Sequence, residues 1–81
     1  MTKLPRDLRI GELVARLRRL GYTVLRQRGS HMTLYTPKRN GHRAWVPHHD
    51  PLAPGTLRSV LGDIAAHFNI TLGELLHRLG L

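Results

Sequence analysis

The stretch HMTLYTPKRNGHRAWVP, residues 31–47, decides the fold. Over HMTLYT the side chains alternate, with Met32 and Leu34 on one face and His31, Thr33 and Tyr35 on the other. PKRNG at 37–41 combines the Pro, Asn and Gly of a hairpin turn. HRAWVP then returns as a strand; if Ala44 and Val46 face the core, Arg43 and Trp45 share the opposite face. A slip of one residue would exchange the two faces. Upstream, YTVLRQR at 22–28 carries β-branched and aromatic residues and stops at the turn signal Gly29-Ser30. The reading is a three-stranded antiparallel meander.

Helical periodicity flanks it on both sides. Ile10, Leu13, Val14, Leu17 and Leu20 form an apolar stripe, with Arg9, Glu12, Arg16, Arg18 and Arg19 off it as a solvated face. Asp7 suits an N-cap and Gly21 a left-handed stop. Residues 1–6 read as an extended lead-in, because Pro5 disfavours helix at Leu4. After the sheet, Pro54 fits a first helical position, and Leu57, Val60, Leu61, Ile64 and Phe68 form a second stripe onto which Leu52 can staple. Thr71 and Glu74 have capping-box spacing and open a short third helix. The expected class is α+β in the order α-β-β-β-α with an extra C-terminal helix. Two helices would cover one sheet face and leave the polar face open.

Composition narrows the function. Eighty-one residues suffice for one domain, 1–81, burying about 60% of its unfolded surface. Thirteen Lys and Arg against five Asp and Glu give a net charge of +8, which selects phosphate backbones, anionic membranes or acidic proteins as partners. With no cysteine, disulfides and thiolate metal sites are excluded, and a reducing compartment fits. Neither a signal-peptide core nor a run of about 18 apolar residues is present, so the expectation is a cytoplasmic chain with no membrane span.

Six histidines compete for attention. His31, His42, His48 and His49 show neither helical i, i+4 nor HxH ligand spacing, so no metal site and no cofactor is expected. His67 and His77 lie near helix C-terminal turns, where a cation suits the dipole. His31 differs, because Gly29 permits a tight turn, Ser30 offers a hydroxyl, and Arg26 and Arg28 precede it on the neighbouring strand. Cleavage of RNA by transesterification needs a base for the 2′-OH and cations for the phosphorane. Residue types alone leave His31 as a catalytic base, a phosphate or base contact, or an inert turn residue.

Arg26, Arg28, Lys38, Arg39 and Arg43 cluster around the meander as a phosphate footprint. Tyr35 and Trp45 on the open face are candidates to stack nucleobases, and Trp45 fits equally as a cover for apolar sheet surface. The amides of Gly55 and Thr56, with Arg58 one turn in, form an anion-receptive helix start.

Several blocks, in order, resemble one family: LPRDL at 4–8, ELVARLRRLGY at 12–22, RQRGSH at 26–31, VPHH at 46–49 and PGTLRSVL at 54–61. Together they resemble the HicA toxins, with RQRGSH and PGTLRSVL the most specific at this spacing. The resemblance implies a double-stranded-RNA-binding-domain-like fold and a ribosome-independent endoribonuclease, an mRNA interferase without a metal. It implies that His31 is catalytic, with Gly29 and Ser30 supporting it, and that a HicB-type antitoxin covers the active surface. A basic toxin and an acidic antitoxin are natural electrostatic partners. Two departures stand out: Arg9-Ile10 replaces the family's usual Ser-Gly pair, and AAHFNI lengthens the link to the last helix. The competing reading is a module of the same fold that grips RNA without cutting it.

Overall fold

The apolar stripe of residues 10–20 becomes a helix, α1 (Ile10–Leu17), prolonged by a single 3₁₀ turn at Arg18–Leu20, in a computed structural model describing residues 3–81. Of the expected lead-in, Met1 and Thr2 lie outside the described residues. Ile10, Leu13, Leu17 and Leu20 are buried and Val14 is half-buried. Gly21 ends the run at φ 84°, where a Cβ would also come within 2.8 Å of Thr36 Oγ1. The helix start departs from expectation. Asp7 itself adopts φ 56° and does not cap; Asp50 Oδ1, forty positions on, accepts the Ile10 N–H at 2.6 Å. A carboxylate there satisfies an orphan donor and favours the positive end of the helix.

Three strands follow: β1 (Thr23–Arg28), β2 (His31–Thr36) and β3 (His42–Pro47), antiparallel in the order β1-β2-β3. Tyr22, expected to open the first strand, precedes it with its side chain buried. Met32 stands opposite Val46 and Leu34 opposite Ala44, all four in the core. Thr33–Trp45 and Tyr35–Arg43 occupy the other face, the alternation read from the sequence. The hairpin turn holds Lys38–Asn40 in one 3₁₀ turn, with Arg39, Asn40 and Gly41 all at positive φ.

β1 breaks the pattern: all six residues are exposed, and the register shifts between Val24 and Arg26. Thr23 faces Tyr35 and Val24 faces Leu34, but Arg26 faces Thr33 and Arg28 faces His31. Leu25 is the extra residue of a β-bulge.

Helix α2 (Pro54–Phe68) starts with Pro54 at the first position and buries Leu57, Val60, Leu61, Ile64, Ala65 and Phe68. Leu52, just upstream, is buried too. In α3 (Leu72–Leu79), Thr71 Oγ1 accepts the Glu74 N–H at 3.1 Å, as the capping-box spacing predicts. The far end of α3 corrects another expectation. Arg16 does not merely face solvent: its guanidinium donates to the Leu79 and Gly80 carbonyls at 3.1 Å each. Arg19 reaches the Arg78 carbonyl at 3.5 Å. Cations thus satisfy the orphan acceptors at the negative end of α3.

The molecule is only 17 Å thick along its shortest axis, room for a sheet and one layer of helices. The architecture is α+β, α-β-β-β-α-α, consistent with a double-stranded-RNA-binding-domain-like fold. All buried positions of β2 and β3 point to the helical layer, leaving the face of His31, Thr33, Tyr35, Arg43 and Trp45 uncovered.

Candidate active site

Gly29 and Ser30 form the two-residue connection between β1 and β2, with Gly29 at φ 54°. This left-handed value is one that glycine adopts without the Cβ penalty. His31 is therefore the first residue of β2, exposed, directly opposite Arg28 on one side and Pro47 on the other. Its Nδ1 stands 3.5 Å from Ser30 Oγ, at the outer limit of a hydrogen bond. The Ser30 carbonyl accepts the His48 N–H, which ties the turn to the end of β3.

The bulge sets the electrostatics. Without the extra residue at Leu25, regular alternation would carry Arg26 and Arg28 to the face of Met32. With it, both arginines share the face of His31. Arg26, Arg28, His31, Thr33 and Trp45 line one shallow depression on the open face. Among the described residues, no carboxylate pairs with Arg26, Arg28 or Arg43. The depression thus presents uncompensated positive charge around an accessible imidazole, an arrangement suited to a phosphodiester.

Other expected contacts fall elsewhere. Lys38 and Arg39 sit in the turn beyond the far end of β2, roughly 17 Å along the strand from His31. Lys38 is held locally, its methylenes against Gly21 and its carbonyl accepting from His67 Nε2 at 3.0 Å. Arg43 shares the open face but lies toward that far end, opposite Tyr35. Thr56 and Arg58 line a second groove with Lys3, Arg6 and His49, between the lead-in and the start of α2. They do not join the His31 depression. The two aromatic residues also differ. Tyr35 is half-buried, and a Cβ on Gly41 would meet its hydroxyl at 2.8 Å; Trp45 is 71% exposed.

The remaining histidines are dispersed. His48 lies on the helical side, 3.4 Å from Gln27 Nε2 and lining the groove of Met32 and Ile10. His42 joins a chain that no local pattern announces. Its Nδ1 accepts the Tyr22 hydroxyl at 2.7 Å, its Nε2 donates to Asp63 at 3.1 Å, and its ring stacks on His67 at 4.6 Å. Burial, reinforced by the charge of Asp63, pushes the Tyr22 phenol well above its ordinary range. His67 is accordingly a bonded member of this cluster rather than a free cap. Three elements distant in sequence supply the chain, so spacing alone could not reveal it.

Among the described residues, no helix is long and apolar enough to cross a membrane. Comparison with curated proteins and with solved structures gave no match. The family described as "HicA toxin of bacterial toxin-antitoxin" matches residues 10–65, from the start of α1 through most of α2. That span takes in more than half of the chain and every residue of the depression, so the chain belongs to the HicA family, the toxins of bacterial toxin–antitoxin systems.

Proposed function

We propose that this toxin is an endoribonuclease that cuts messenger RNA at the His31 depression, and that a HicB-type antitoxin neutralises it by covering that face. The observation that carries the reading is the juxtaposition of His31 with Arg26 and Arg28 on an open surface free of carboxylates. In this scheme neutral His31 takes the proton of a ribose 2′-OH, and the 2′ oxygen attacks the adjacent phosphorus. The bond to the 5′ oxygen breaks and that oxygen takes a proton from water, leaving a cyclic phosphate and a 5′-hydroxyl. Arg26 and Arg28 offset the charge that builds on the phosphorane oxygens. Ser30 and Gly29 hold the imidazole at the strand start, and Arg43 extends the cationic track. The antitoxin would meet the same positive face, which favours an acidic surface on the partner.

General acid–base assistance is worth about 10²–10⁴ in rate. His31→Ala should therefore lower mRNA cleavage by that order while leaving the melting temperature unchanged, since the side chain is exposed. Equal cleavage by the two proteins would sink the assignment. Loss of cleavage in His31→Ala separates this reading from a module that only grips RNA.

A further inference from the structure

We infer that Trp45 is a stacking platform for an unpaired nucleobase, which makes single-stranded RNA the substrate class of the His31 site; this rests on the ribonuclease reading above. Three large hydrophobic side chains are exposed among the described residues, and Trp45, at 71%, is the most exposed. It does not cover apolar sheet surface, because its cross-strand neighbour is Thr33 and its face carries Arg43 two positions away. Directly opposite residues lie about 5 Å apart between Cβ atoms and diagonal ones about 7–8 Å. Trp45 is thus diagonal to His31 across Thr33, at the rim of the same depression.

The occupant follows from the chemistry of these neighbours. A wide aromatic plane flanked by unpaired guanidinium groups suits a base whose own phosphate is held nearby, as on single-strand-binding surfaces. In an A-form duplex each base is stacked within the helix and offers side chains only its edges, so no ring face reaches Trp45. Thr33, short and half-buried, leaves the space between the indole and the imidazole clear. Tyr35 does not share the role, because its hydroxyl end is turned against Gly41.

Trp45 is the sole tryptophan, so emission excited at the red edge of the indole band, where the two tyrosines do not absorb, reports on this residue alone. The wild-type chain is titrated with a 2′-O-methyl oligoribonucleotide, which lacks the attacking hydroxyl, first single-stranded and then annealed to its complement. Saturable quenching by the single strand and little response to the duplex is the expected result. Binding of the single strand without any change in tryptophan emission, an equal response to the duplex, or no binding at all would each overturn the inference. In a cleavage assay, Trp45→Ala should raise KM about 10- to 100-fold, with kcat less affected and Trp45→Phe recovering most of the loss. Cleavage by Trp45→Ala with unchanged KM also overturns it. The two proposals fail separately: absence of cleavage by the wild-type chain removes the ribonuclease reading, whereas the fluorescence titration needs no turnover.

Discussion

Among single residues, Tyr22 shows most clearly how a buried polar group is kept. Its side chain is almost inaccessible, yet its hydroxyl has a partner in His42 Nδ1, which in turn is oriented by Asp63. Removing the hydroxyl leaves His42 without that donor, so Tyr22→Phe should cost about 1–2 kcal/mol in urea unfolding. The phenol also ties stability to pH. Its folded-state pKa is raised, so its contribution is fully present below about pH 10, where the unfolded tyrosine begins to ionise. As pH climbs further the unfolded state releases the proton first and stability falls. Tyr22→Phe should flatten that alkaline decline, which unfolding curves between about pH 9 and 11 would measure. None of this was legible locally. Tyr22 reads as a strand residue in YTVLRQR, and its partners lie 20 and 41 positions away by residue number.

At the scale of elements, the helices and the β2–β3 hairpin were legible because their burial repeats with a fixed period. Leu57, Val60, Leu61, Ile64 and Phe68 are buried as their spacing requires, and Met32, Leu34, Ala44 and Val46 alternate as read. β1 was less legible, since an exposed edge strand with a bulge carries no alternation to detect. Helix starts divide in the same way. The Thr71 cap of α3 is three residues from its donor and visible in sequence, whereas the Asp50 cap of α1 depends on the folded loop after β3. Asp50→Ala should destabilise the protein by about 1 kcal/mol in thermal or urea unfolding. Asp50→Asn should retain most of the cap, because the amide oxygen still accepts. The Arg9–Asp50 ion pair, at 3.7 Å and largely exposed, adds little to that figure.

For the molecule as a whole, the net charge of +8 is distributed by the fold to distinct ends. Arg16 and Arg19 close α3, while Arg26, Arg28 and Arg43 remain on the open sheet face without a carboxylate partner. If those three meet phosphates of a single strand, the logarithmic salt dependence of RNA affinity should have a slope of about −2. Replacing Arg26 and Arg28 together with alanine should shallow it by about 1.4, whereas Arg16→Ala should leave it unchanged; titrations across a range of salt concentrations measure both. The sequence placed Arg26 and Arg28 near His31 but did not say which side of the sheet they would take. That side depends on Leu25. A strand has a phase, and one inserted residue shifts it by half a period for everything downstream. Related toxins that lack the extra residue should carry their basic side chains one position out of step, so that arginine spacing and strand length vary together while the charged face stays the same.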